Sequence, residues 1–143
     1  CALPISIGLS LAKQARRVVG IEIVEPAVRD AKENARRNGV TNAEFYAGPC
    51  EKLLPQLASE GLKFDAVVLD PPRKGCDEAV LRATAQTNPA RIVYVSCNPA
   101  TLARDVARLR KLGYVLRKAR PFDMFSWTGE VETVALLERE KLD

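Results

Sequence analysis

Residues 91–112 read RIVYVSCNPATLARDVARLRKL. The first part, 91–97 (RIVYVSC), is a short apolar run rich in β-branched residues and closed by Cys-Asn-Pro, the pattern of a buried strand. The second part, 101–112, carries its apolar residues at helical spacing and stops at Gly113, the pattern of an amphipathic helix. The same alternation repeats upstream. A strand over 64–70 (FDAVVLD) precedes a helix over 77–86. One over 18–22 (VVGIE) precedes a helix over 25–38, with Pro26 in the first turn and Gly39 at its end. A short strand at 44–47 leads to a helix at 51–59 that contains Pro55, and 7–16 adds an opening helix. Strands alternating with helices predict βαβ units and a mostly parallel sheet covered on both faces, an α/β class. The segments 114–119 and 131–138 read as strands with no helix between them, so one of the two is expected to run antiparallel.

The chain has 143 residues, 47% hydrophobic and 28% charged, which suits one domain able to bury a core and argues against disorder. No apolar run approaches the roughly 18–20 residues of a membrane span, so no membrane partner is expected. The net charge of +4 is compatible with RNA without requiring it. Cys1, Cys50, Cys76 and Cys97 are scattered, with no Cys-x-x-Cys pair. That spacing argues against a metal site and for a reduced, cytoplasmic setting. Histidine is absent. Mechanisms built on an imidazole are therefore excluded, and proton transfer falls to carboxylate, Lys, Tyr, Cys or water.

In open parallel sheets ligands bind beyond the carboxyl ends of the strands. Those ends carry Glu22, then Asp70 followed by Pro71-Pro72-Arg73, then Cys97 followed by Asn98-Pro99. Glu22 is placed to accept hydrogen bonds from ribose hydroxyls, or is only a solvated strand end. The paired prolines stiffen a ledge beside a flat ligand, and Arg73 offers a cation to phosphate. Cys97, between a strand and a helix and with Arg73 and Arg104 in reach by sequence, is either a packed core thiol or the candidate nucleophile; Cys1, Cys50 and Cys76 have no comparable setting. Glu132 opens an apolar strand and is either an exposed edge residue or the candidate proton acceptor. Phe125 and Trp127 are placed either to stack against a base or to cap the core.

Three motifs, DPPRKG at 70–75, SCNPATLARD at 96–105 and PFDMF…VETVALLER over 121–139, together resemble the RNA (uracil-5-)-methyltransferases, most closely the bacterial 23S rRNA branch. The similarity runs from about Ile7 to Arg139 and corresponds to that family's carboxyl-terminal catalytic domain. The resemblance implies a Rossmann-like S-adenosylmethionine-dependent methyltransferase fold. It also implies attack of Cys97 on uracil C6, methylation at C5, and removal of the C5 proton by Glu132. Glu22, Asp70 and Ser6 would face the cofactor, and Arg73, Asn98 and Phe125 the substrate. The expected partner is RNA, 23S rRNA ahead of tRNA, and the protein is expected to be a monomer.

Three departures qualify the pattern. Where the family has a first strand and a glycine-rich turn, this chain has Cys1-Ala2-Leu3-Pro4-Ile5-Ser6, so residues 1–6 read as an atypical, truncated start and 7–143 as the catalytic domain. Pro49 replaces an acid or amide, and the stretch around Ser126-Trp127 also differs. Alternatives are a tRNA-directed enzyme, an amino-directed methyltransferase in which Cys97 and Glu132 have no role, and a fragment that binds RNA or a partner without turnover.

Overall fold

The computed structural model describes residues 3–123 and 131–140, which divide into two compact units, Cys1–Leu53 and Leu54–Asp143. The first unit holds α1 (Leu3–Leu11), β1 (Val18–Glu22), α2 (Glu25–Arg37) and β2 (Ala43–Ala47); the boundary falls inside α3 (Cys50–Ser59). The second holds β3 (Ala66–Leu69), α4 (Glu78–Gln86), β4 (Arg91–Ser96), α5 (Pro99–Lys111), β5 (Tyr114–Phe122) and β6 (Glu132–Arg139).

In the first unit β1 and β2 pair in parallel, with Gly20 level with Phe45. The apolar stripe of α2, Val28, Ala31 and Ala35, packs with Phe45 into a small core. Gly20 is required there. A Cβ at that position would stand 2.5 Å from Cδ1 of Phe45, so the ring occupies the space a side chain would need. The opening helix lies earlier than its periodicity predicts, at Leu3–Leu11 rather than 7–16. Past Leu11 the backbone leaves the helix, and Asn42 Nδ2 donates to the carbonyls of Ala12 and Ala15, both at 2.8 Å. A side chain from just before β2 thus satisfies carbonyls that helix continuation would have used.

In the second unit the strand order is β3-β4-β6-β5. β3 and β4 are parallel, while β6 runs antiparallel to both β4 and β5, the reversal that the missing helix between the last two strands implies. Along β4 burial alternates strictly: Ile92, Tyr94 and Ser96 are buried, Val93 and Val95 only partly. The buried face packs with Ala135 and Leu137 of β6, Tyr114 of β5, Leu81 of α4 and Leu102 and Leu109 of α5. Most of this unit's hydrophobic stabilisation therefore comes from one face, on the order of 1.5–3 kcal/mol for each fully buried large apolar side chain.

α5 starts two residues before its periodicity suggests. Asn98 Oδ1 accepts from the backbone N–H of Ala100 at 3.0 Å and Thr101 at 3.4 Å, and Pro99 takes a first-turn position where its missing N–H costs nothing. β5 runs on to Phe122, which pairs with Glu132, and a register shift falls between Leu116 and Lys118. No helix among the described residues is long and apolar enough to cross a membrane.

Candidate functional site

The ends of β3 and β4 and the start of β6 converge at one edge of the four-stranded sheet. In the antiparallel ladder Ser96 is level with Thr133. The paired ladder ends there, with Cys97 directly after Ser96 and Glu132 directly before Thr133 in the chain, so the two flank its last pair. On the parallel side Leu69 is level with Tyr94, so Asp70 follows level with Val95. Alternation within the strands puts Glu132 of β6 on the face of Val93 and Val95, opposite the one that α4 and α5 pack against, while Asp70 and Cys97 follow directly on the ends of β3 and β4.

The backbone around Cys97 is pinned on both sides. Ser96 Oγ accepts from Asn98 N–H at 3.1 Å and donates to Asn98 O at 3.0 Å, closing a loop across the cysteine. Cys97 itself is half-buried and its thiol is free. Asn98, expected at the substrate, has its carboxamide oxygen engaged as the α5 cap; that bond leaves its Nδ2 available to a ligand.

Asp70 is the electrostatically unusual member. Burial, and secondarily the nearby Glu132 carboxylate, push its pKa above the ordinary carboxylate value. Its Oδ2 is buried and has no hydrogen-bond partner among the described residues. An acceptor left unpaired inside a protein is costly, of order 1–3 kcal/mol, and is a place where a ligand donor is stabilising. Cys50, by contrast, is held by burial in its thiol form, its pKa raised to about 11, which suits a packing role.

Arg104 does not stand beside Cys97. Its Nε donates to Asp105 Oδ1 at 2.9 Å and its Nη2 to the carbonyl of Lys74 at 2.9 Å, so the guanidinium is turned toward the 70–77 loop. Arg73 is exposed, and its carbonyl accepts from Thr101 Oγ1 at 3.2 Å. Glu22 lies at the end of β1 in the first unit, where Oε1 accepts from Val24 N–H at 3.0 Å. Ser6 lies within α1, and Phe125 and Trp127 fall outside the described residues. No group of His, Cys, Asp and Glu able to hold a metal occurs among the described residues.

Two residues escaped the reading of the sequence: Asp105 and Tyr94, both fully buried. The signal for Asp105 was present. It lies in the buried stripe of α5 with Leu102 and Leu109, where an acid is tolerated only if partners are waiting.

An uncharacterized RNA methyltransferase of Halalkalibacterium halodurans is 52% identical over 133 residues, 93% of this chain and 29% of that protein. An uncharacterized RNA methyltransferase of Enterococcus faecalis is 52% identical over 134 residues, 94% of this chain and 29% of its own length. The chain thus spans about 29% of these curated relatives. Among solved structures, the tRNA (uracil-54, C5)-methyltransferase of Pyrococcus abyssi, in complex with S-adenosyl-L-homocysteine, superposes with a TM-score of 0.79 at 34% identity, over 95% of this chain and 32% of that one. The fold is that of the S-adenosylmethionine-dependent methyltransferases. A single family, described as tRNA (Uracil-5-)-methyltransferase, matches residues 5–140, both sheets and the whole Asp70–Cys97–Glu132 edge included, and the chain belongs to it.

Proposed function

We propose that this chain is the catalytic part of an RNA methyltransferase that acts on C5 of uracil, with Cys97 as nucleophile and Glu132 as base. The observation that supports the reading is the β4–β6 ladder, whose last pair, Ser96 with Thr133, is flanked by the Cys97 thiol and the Glu132 carboxylate. C5 and C6 of uracil are bonded neighbours, so a nucleophile for one and a base for the other must come from adjacent positions.

The Cys97 sulfur, as thiolate, adds to C6, and the displaced electron pair gives C5 carbanion character delocalised onto the ring carbonyl. When bound, S-adenosylmethionine supplies an electrophilic methyl carbon, and its sulfur keeps the electron pair of the broken bond. Glu132 then takes the proton from C5. The C–H electron pair re-forms the C5–C6 double bond and expels the Cys97 thiolate, so the enzyme is regenerated once Glu132 gives up its proton. Covalent addition of this kind replaces one hard step with easier ones, and no imidazole is needed. The residues fit the cofactor on one point in particular: the unpartnered Oδ2 of Asp70 is an acceptor of the sort that its ammonium or adenine amine would satisfy. Glu22, at a strand end, is the matching candidate for ribose hydroxyls. Arg73, Asn98 and Phe125 are the proposed substrate contacts, and the target base must be looped out or flipped to reach the thiol.

Two RNA classes compete. The three motifs resemble the 23S rRNA branch most closely, whereas the family description and the Pyrococcus relative concern tRNA. The test of the reading is intact-mass spectrometry of the protein mixed with S-adenosylmethionine and 5-fluorouridine RNA, offered as an rRNA hairpin and as a tRNA stem-loop. Fluorine at C5 cannot leave as a proton, so the pathway stalls as a methylated covalent adduct. An adduct with one of the RNAs, lost in Cys97→Ala, supports the reading and selects the RNA. No adduct from folded protein with either RNA refutes it.

A further inference from the structure

The 70–77 loop, which joins β3 to α4 and carries Asp70 and Arg73, is held along its second half by the first turns of α5. Thr101 Oγ1 donates to the carbonyl of Arg73 at 3.2 Å, and Arg104 Nη2 to the carbonyls of Lys74 at 2.9 Å and Cys76 at 3.5 Å. Behind them, fully buried Asp105 accepts on Oδ2 from Cys76 N–H at 2.8 Å and from the Tyr94 hydroxyl at 2.6 Å. On Oδ1 it accepts from Arg104 Nε at 2.9 Å and Arg108 Nη1 at 3.3 Å. One carboxylate thus gathers donors from the loop, from β4 and from α5. Gly75 completes the closure: its φ is +81°, and a Cβ there would lie 2.5 Å from both Arg104 Nη2 and Asp105 Oδ2.

The significance lies in what else α5 holds. Its first residue, Pro99, is two positions after Cys97, and its cap, Asn98, is hydrogen-bonded to Ser96 across that cysteine. The same two turns of helix therefore fix the nucleophile loop at their start and the Asp70–Arg73 loop through residues 101, 104 and 105. We infer that Asp105 and Arg104 are positioning residues for the reaction: they clamp the 70–77 loop in one register relative to Cys97, without touching substrate or cofactor themselves. The inference rests on the reading of Cys97 as nucleophile given above. Misplacement of reacting groups by about 1 Å can lower a rate on the order of a hundredfold, so a clamp of this kind bears on rate even where it adds little to binding.

Two measurements test it, each with Asp105→Asn and with Arg104→Ala, whose side chain is partly exposed and lies outside the apolar core. The first is limited trypsin cleavage after Arg73 and Lys74, exposed basic residues inside the loop; it reports on the clamp without reference to any reaction. The second is the rate of adduct formation with 5-fluorouridine RNA at saturating S-adenosylmethionine. We expect cleavage to rise about tenfold, because the local opening that exposes the loop becomes more populated, and the limiting adduct rate to fall about ten- to hundredfold. The half-saturating RNA concentration should change far less. A role confined to stability would instead lower the amount of adduct through a smaller folded fraction and leave its rate constant unchanged. If Asp105→Asn does not fold, Arg104→Ala decides alone.

Unchanged cleavage in the folded variants overturns the clamp whatever the chemistry. Faster cleavage with an unchanged adduct rate overturns its catalytic role. Failure of the unmodified protein to form any adduct, with cleavage behaving as expected, strikes instead at the assignment of Cys97, and the positioning role falls with it.

Discussion

Replacing Tyr94 with Phe removes one oxygen from a fully buried site and leaves the ring, its packing and the strand unchanged. In the native protein that hydroxyl donates to Asp105 Oδ2 at 2.6 Å, a length typical of a hydrogen bond to a charged acceptor. Such bonds contribute about 1.5–3 kcal/mol, and Asp105 keeps its contacts to Cys76 N–H, Arg104 and Arg108, so the expected loss at pH 7 is about 2 kcal/mol. The effect has a pH signature. Burial alone would raise the pKa of Asp105, but the bonds from Arg104, Tyr94 and Cys76 N–H outweigh it and hold the pKa below its ordinary value. A depressed folded pKa stabilises the protein above the unfolded value of about 3.9, and that stability is lost as pH falls through the folded value. The gap between wild type and Tyr94→Phe should therefore shrink in acid toward the roughly 1 kcal/mol of a neutral hydrogen bond. At the alkaline end Tyr94 resists ionisation, through burial and the adjacent Asp105, and its folded pKa is raised. Its share of stability is complete below an unfolded pKa of about 10 and declines as pH rises beyond it, by up to about 1.4 kcal/mol per pH unit. The Phe variant lacks that decline, so the two proteins should converge above pH 10 as well. Urea unfolding followed by circular dichroism from pH 3 to pH 11 measures all three regimes. A difference below about 0.5 kcal/mol at pH 7, where surface changes normally fall, or one independent of pH, refutes the reasoning.

Glu132→Gln should leave the addition of Cys97 to C6 intact and block removal of the C5 proton, a step to which a positioned base contributes about 10²–10⁴-fold. With ordinary uridine RNA and S-adenosylmethionine this variant should accumulate the methylated covalent adduct that wild type does not; intact mass reads it directly, and turnover at the wild-type rate would remove Glu132 from its role. Asp70→Asn takes away a carboxylate whose pKa is raised by burial and by Glu132. A raised folded pKa means the charged form burdens the folded state at neutral pH, so the variant should be more stable than wild type by about 0.5–1 kcal/mol at pH 7. That gain should vanish as pH falls and Asp70 becomes protonated, while affinity for S-adenosyl-L-homocysteine drops. Thermal melts across pH and calorimetric titration measure the two, and a variant both less stable and equally tight-binding would contradict the account.

Two acids of the second unit contrast. Asp70 is kept partly desolvated beside a second carboxylate and its Oδ2 has no donor among the described residues, whereas Asp105, on α5, is satisfied four times over. An unsatisfied buried acceptor is the costlier of the two, and a ligand donor at Asp70 would remove that cost.

The periodicity of the chain was sufficient to recognise the α/β class and the reversal of one of the last two strands. Spacing alone also brought Asp70 and Cys97 to strand ends, because a strand that closes on a polar residue announces its ligand-facing edge. Cys97 and Glu132 are 35 positions apart in the chain, and nothing local relates them. It is the antiparallel pairing of β4 on β6 that brings the segments carrying them together at the Ser96–Thr133 end of the ladder, and register is set by which faces are buried along the whole ladder. Asn98 and Arg104 show the converse. Both looked wholly free to serve a substrate or a thiolate, yet helix capping takes the oxygen of the first, leaving only its Nδ2, and the backbone carbonyls of the 70–77 loop, with Asp105, engage the second. A side chain's hydrogen-bonding capacity is written in its chemistry, but its partner is chosen by whatever donor or acceptor the tertiary fold leaves unsatisfied nearby.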